Sequence, residues 1–197
     1  SHLEARLWSH VFTVAEAESI VFDGRIIENR SADSHDILGT FAAATRSPWR
    51  DRPAQDAAAF LAWLKSVNAQ VMQQRPDTKP GEWKDRVNQA GSTVFVLPEL
   101  VPGTLREAFE RILALVDPLA RALMTMFVVS EVHPFIDGNG QTGRVISILY
   151  LIQENLLSLP ILYLSRHIIA RRADYYRLRL DVTRHQAWEA WVMFMPE

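Results

Sequence analysis

The segment HPFIDGNGQTGR, residues 133–144, gathers His133, Asp137, Gly138, Asn139, Gly140 and Arg144. Their types describe a site that handles phosphate. Glycines flanking Asn139 permit positive φ and close approach of a ligand to the backbone. Successive N–H groups in such a turn form an anion nest. A helix opening near residue 141 adds unpaired N–H groups and the positive end of its dipole. Arg144, one turn further on, carries a planar fork that grips phosphate oxygens bidentately. Asp137 would repel a phosphate directly but suits a Mg²⁺ ion lying between, since magnesium takes oxygen from carboxylate and phosphate alike. His133 titrates near neutrality and can take the proton of an attacking hydroxyl. Each residue alone has a plainer reading: an Asn-Gly turn, a snorkelling arginine, a cap carboxylate, a histidine closing a helix. His133 and Asp137, four residues apart, would also serve a bare hydrolytic metal site. Together they favour transfer of part of a Mg-bound nucleotide to a hydroxyl. The chain has no cysteine, so thiolate nucleophiles, disulfides and Cys-held zinc are excluded. G-x-S-x-G, G-x-x-x-x-G-K-[ST] and H-E-x-x-H are absent as well.

Such a loop needs rigid supports, and the sequence supplies apolar runs on both sides of it. The spacing predicts a helix over 118–131, with Pro118 in its first turn, and another over 141–156. Upstream, 104–119 reads as a helix opened by a Thr104–Glu107 capping box. Residues 56–74 form a strong helical pattern, with Asp56 as cap and Phe60, Leu61, Leu64, Val67 and Val71 on one face. Residues 81–98 break the helical pattern. Thr93-Val94-Phe95-Val96 is β-prone, and Gly91-Ser92 offers a turn, so a small hairpin is expected there. Before these, 11–22 reads as a helix ended by Asp23-Gly24, SADSHD at 31–36 as a turn or cap for a short helix over 36–45, and 45–55 as a loop. Helices are expected over 165–180 and 185–195. The sum is an all-α bundle with one β-hairpin. Its expected divisions are an N-terminal helical region, 1–54, and a core, 55–197.

The 197 residues are 48% hydrophobic with a net charge of −2. That supports a sizeable core and gives no overall basic footprint for nucleic acid. Residues 1–20 contain His10, Glu16 and Glu18 where a leader would need an apolar run. The apolar stretches near 111–130 and 145–164 are broken by Asp117, Arg121, Glu154 and Pro160, so they read as buried helices and not as spans. With no cysteine, a cytoplasmic setting is expected. An ending just after an apolar run is expected of a piece cut from a longer protein.

HPFIDGNGQTGR resembles the signature of Fic domains, His-x-Phe-x-Asp/Glu-Gly-Asn-Gly-Arg-x-x-Arg. The likeness extends to residues 79–103, which resemble the family's target-positioning hairpin, and covers roughly 55–195. It implies a helical fold and transfer of AMP from ATP to a Ser, Thr or Tyr hydroxyl of a protein target, with ATP and Mg²⁺ required. His133 would then be the base and Asp137 the Mg²⁺ ligand. Gly138, Asn139 and Gly140 would cradle the phosphates, and Arg144 would grip the γ-phosphate. Val94, Phe95 and Val96 would line up the target by backbone pairing. One position departs: Gln141 stands where the family has its first arginine. An amide brings no charge to the α/β-phosphates. A slow enzyme, a substitute donor, another transferred phosphate-containing group, or a nucleotide-binding or interaction module without turnover would each follow.

Many members also carry an inhibitory helix, Ser/Thr-x-x-x-Glu followed by Gly or Asn, whose glutamate pairs with the second motif arginine. Ser19-Ile-Val-Phe-Asp23-Gly24 approximates it, and Glu28-Asn29 supplies the right ending. On that likeness Asp23 or Glu28 would restrain Arg144. A plain amphipathic helix with an Asp-Gly end is the alternative. Asp33, His35 and Asp36 are more cheaply explained as cap residues than as a metal cluster. The arginine-rich 167–181, with Trp188 and Trp191 beyond it, reads as a helical surface with packing residues. No direct nucleic-acid contact and no membrane contact are expected of it.

Overall fold

The computed structural model of the chain describes residues 12–46, 54–91, 93–157, 167–168 and 170–195. It has two compact units, Ser1–Pro160 and Ile161–Glu197. The architecture is mainly helical with one small hairpin, as the sequence pattern indicates.

In the first unit, α1 spans Val14–Asp23. Thr13 starts it through a capping box with Glu16: Thr13 N donates to Glu16 Oε2 at 2.7 Å, and Glu16 N donates to Thr13 Oγ1 at 3.2 Å. Gly24 ends it in the left-handed region at φ 67°. Helix α2, Ser31–Arg46, begins earlier than the expected 36, so SADSHD is its opening turns and not a loop. The reason is tertiary. Asp33 and Asp36 both reach Arg75, at 2.9 and 2.6 Å, which a helical spacing allows and a turn does not. Those carboxylates are thereby committed to a guanidinium, and among the described residues no group of three or more His, Asp or Glu gathers to hold a metal. Most of the expected loop 45–55 lies outside the described residues.

Helix α3, Ala57–Val71, follows its predicted cap, with Ala59 N donating to Asp56 Oδ1 at 2.7 Å. Phe60, Trp63, Leu64, Val67 and Val71 are buried along one face. After a 3₁₀ turn at Pro76–Thr78, strands β1, Gln89–Ala90, and β2, Thr93–Val94, pair antiparallel in the register Gln89↔Val94 and Ala90↔Thr93. Helix α4 is Val101–Leu113, so the expected Thr104–Glu107 capping box does not form. Prolines at 98 and 102 suit first-turn geometry and start the helical path sooner. Thr104 then sits inside the helix and its hydroxyl donates to Leu100 O at 2.9 Å, while Glu107 accepts from Arg111 at 2.8 Å.

Helices α5, Pro118–Val132, and α6, Asn139–Gln153, pack along each other at the centre. Within α5 the hydroxyls of Thr125 and Ser130 are satisfied locally, donating to Arg121 O and Met126 O. Phe60 stacks on Phe109 at 4.5 Å between α3 and α4, and Trp63 meets Tyr150 at 5.2 Å between α3 and α6. Each such ring contributes about 1.5–3 kcal/mol by burial. In the second unit α7, Arg172–His185, packs with α8, Trp188–Phe194. Arg177 lies 3.3 Å from Asp174 and 3.6 Å from Asp181, so this arginine-bearing face carries its own counter-charges. Among the described residues no helix is long and apolar enough to cross a membrane.

Candidate functional site

The loop between α5 and α6 is built by two left-handed residues. His133 closes α5 at φ 52°, with its N–H donating to Val129 O at 3.0 Å. Gly138 opens α6 at φ 75°. A Cβ at Gly138 would fall 2.5 Å from Met72 Sδ and 2.7 Å from Met72 Cγ, so this glycine is needed for space as well as for φ. Because the bend is complete at 138, α6 starts at Asn139 and not at 141. Asn139 and Gly140 therefore belong to its first turn.

Asn139 is buried and staples the loop. Its Oδ1 accepts from Phe135 N at 2.9 Å, and its Nδ2 donates to Phe135 O at 3.0 Å. With the side chain spent on Phe135, what Asn139 turns toward a ligand is backbone. No side chain caps α6, and the N–H groups of Asn139, Gly140 and Gln141 make no hydrogen bond to a described residue. Arg144 curls back over this turn: a Cβ placed on Gly140 would lie 3.2 Å from Arg144 Nη1. The half-buried Asp137 accepts from Gly138 N at 2.7 Å through Oδ1. Gln141 is half-buried, and its Oε1 is a buried acceptor without a donor.

The hairpin comes down on the loop. Val94 is 58% exposed and Phe95 6%, with Val96 partly buried, so side chains alternate along β2 and beyond. Phe95 stacks face-on against the His133 ring, centroids 4.0 Å apart and planes 11° off parallel. His133 Nδ1 lies 3.3 Å from Ser130 O. A carbonyl only accepts, so Nδ1 carries the proton and Nε2 the basic lone pair of the neutral ring. A cleft of about 360 Å³ adjoins this corner, lined by Arg86, Val87, Asn88, Gln89 and Ile136.

Three supporting residues escape a reading of the sequence alone. Asn68, 1% exposed, donates through Nδ2 to Asp137 O at 3.1 Å and to Thr142 Oγ1 at 3.2 Å, and its Oδ1 accepts from Gly81 N at 3.0 Å. A polar residue four positions after Leu64, on the buried face of α3, was the available signal. Lys84 and Asn88 carried none. Lys84 is 2% exposed, and its ammonium donates to Asn88 Oδ1 at 2.6 Å and Val132 O at 3.3 Å. Burial pushes it down to about 8. The folded state therefore releases this proton before the unfolded chain does, so folding stability rises with pH between about 8 and 10.4. The slope from this group is at most about 1.4 kcal/mol per pH unit. Tyr150, pushed up to about 12 by burial, acts in the opposite sense above pH 10. Urea unfolding at pH 8, 9 and 10 is expected to show the rise in the wild type and its loss in Lys84→Met. Equal slopes in both would contradict the assignment.

The expected inhibitory residues are on α1 and just after it. Ser19 is on α1, where its carbonyl accepts from the Gly24 and Arg25 N–H groups. Asp23 ends that helix and Glu28 follows it, both exposed. Among the described residues no ion pair joins either to Arg144.

The Fic/DOC family model matches residues 57–151. A Fido domain-containing protein of Dictyostelium discoideum is 32% identical over 76 residues, 36% of this chain and 53% of that protein. Among solved structures, a Fic family protein from Desulfovibrio desulfuricans G20 matches 98% of this chain and 59% of its own, with a TM-score of 0.78 at 20% identity. Fic-1 (aa134–508) from C. elegans matches 94% and 54%, with a TM-score of 0.69 at 20% identity. The chain thus spans about half the length of the curated relative and somewhat more of these structures. Likeness at this identity speaks for the fold, and the matched segment runs from α3 through the hairpin and the motif loop into α6. Residues 57–151 of this chain belong to the Fic/DOC family.

Proposed function

We propose that this chain transfers AMP from Mg-ATP to a hydroxyl of a protein target. The observation that carries the reading is the joint geometry of the loop. An imidazole with a basic Nε2 sits at one end. An uncapped helix start beneath a guanidinium sits at the other, with a carboxylate between. Uncapped N–H groups at a helix start fit phosphate, and one carboxylate beside them fits a Mg²⁺ ion completed by phosphate oxygens and water. Bound at Asp137, the metal would neutralise phosphate charge. In the transfer, the target oxygen attacks the α-phosphorus, the bond to the bridging oxygen breaks, and pyrophosphate leaves. His133 Nε2 takes the hydroxyl proton. Asn139, Gly140 and Gln141 hold phosphate oxygens through backbone N–H groups, and Arg144 pairs with the terminal phosphate. The β-strand at Thr93–Val94 offers backbone to the target segment. Incubation with α-labelled ATP and Mg²⁺, with His133→Ala as control, tests this. Label on protein that vanishes in the variant supports it. A chain that binds nucleotide but never transfers label would be the module without turnover.

Gln141 favours weak turnover, because a neutral amide replaces a charged donor beside developing negative charge. Gln141→Arg is expected to raise the transfer rate by about tenfold, equivalent to about 1.4 kcal/mol of transition-state stabilisation. An unchanged rate would mean that another group already neutralises those oxygens.

A further inference from the structure

Every carbonyl from Val132 to Phe135 accepts a hydrogen bond from Lys84 or Asn88. Lys84 Nζ donates to Val132 O at 3.3 Å, and Lys84 N to Pro134 O at 2.9 Å. Asn88 Nδ2 donates to His133 O at 3.4 Å and Phe135 O at 3.1 Å. The two side chains are joined to each other at 2.6 Å. The circuit then closes through the hairpin. Phe95 N donates to Asn88 O at 3.2 Å, and the Phe95 ring lies on the imidazole at 4.0 Å. The Lys84 ammonium is also 6.0 Å from the centre of the Phe95 ring, on the edge of cation–π range. Four consecutive peptide units around one left-handed histidine are thus held from outside their own helix. A residue in that backbone region persists where its surroundings over-determine it.

We propose that Lys84 and Asn88 are a positioning pair for His133. They fix the backbone that carries the ring and, through Phe95, the plane in which the ring lies. The inference rests on His133 being the base, and it concerns pose, not contact with substrate. A displacement of about 1 Å in a reacting group can cost about 10²-fold in rate. A pair that merely added stability would leave the ring's own environment unchanged in any variant that still folds.

The imidazole signals report this directly. They are assigned by their absence in His133→Ala. In the wild-type chain the ring protons are expected upfield, because they lie against the face of Phe95, and Phe95→Leu should remove that displacement. Lys84→Met and Asn88→Ala are each expected to move the signals most of the way to the Phe95→Leu position. Lys84→Arg, which keeps a charged donor, should retain most of the wild-type displacement. Wild-type imidazole signals in both Lys84→Met and Asn88→Ala would overturn the proposal. If Lys84→Met does not fold, Asn88→Ala alone decides by the same criterion. In label transfer, kcat should fall about 10–100-fold in Asn88→Ala with nucleotide affinity by calorimetry unchanged. A fall in affinity with kcat kept would also count against a positioning role. If the wild-type chain transfers no label, the reading of His133 as base fails, while the imidazole signals still decide whether the pair sets the ring.

Discussion

His133→Ala is expected to lower transfer of label from ATP by about 10²–10⁴-fold, the range a positioned general base supplies. That is about 3–5 kcal/mol of transition-state stabilisation. The geometry makes the expectation specific. Ser130 O favours the tautomer protonated at Nδ1, which leaves Nε2 to receive the hydroxyl proton. Nucleotide affinity should change little, because in the proposed reaction the imidazole meets the hydroxyl while the N–H groups of α6 meet the phosphates. Alanine is poorly suited to φ 52°, so His133→Asn is the better control: asparagine tolerates the left-handed region and is no base at neutral pH. Both variants should bind nucleotide in calorimetry and fail in transfer. Transfer by His133→Asn at more than a tenth of the wild-type rate would remove the imidazole from the chemistry.

Gly138→Ala is expected to be strongly destabilising. The added Cβ meets two penalties. A left-handed alanine costs about 1–2 kcal/mol. Forcing a methyl group against a packed core costs about 1–3 kcal/mol more, and here the obstacle is the Met72 side chain, itself 1% exposed. A loss of about 2–5 kcal/mol should lower Tm by roughly 4–20 °C in a chain of this size. Gly91 is the internal control. Its φ is 59°, yet a Cβ there meets nothing within 4 Å. Gly91→Ala should therefore cost only the conformational part, about 1–2 kcal/mol. Equal Tm values for the two alanine variants would show that Met72 yields freely.

How far the sequence could be read follows from where each signal resides. Helices α3 and α5 were legible because their cues are local: Asp56 before an apolar-periodic run, and Pro118 at a first turn. The hairpin was legible from β-prone residues around a glycine turn. Helix starts were less so. The start of α2 depends on Arg75, far along the chain, and that of α4 on the path taken after Pro98. The start of α6 turned on whether the left-handed bend falls at 138 or later. A motif shows which residues are present but not where the backbone turns. The type of Asn139 was legible as a loop polar residue, but its bonds to Phe135 were not, since its partners are main-chain atoms. The same holds for Lys84 and Asn88. Their acceptors are carbonyls more than forty positions away, and a carbonyl has no letter in the sequence.

Asn68 joins three stretches of chain at one point: the hairpin's entry at Gly81, the peptide of Asp137, and Thr142 in α6. Such a knot limits how lengths can drift. Adding or deleting a residue between 69 and 80, or between 138 and 141, would pull one strand out of the knot. The turn between α4 and α5 is held only locally, by Arg121 donating to Leu113 O and Leu115 O, and an insertion at Val116, 92% exposed, should be tolerated better. Transplanting the motif hairpin of α5 and α6 into another bundle would fail unless the α3 helix bearing Asn68 travelled with it.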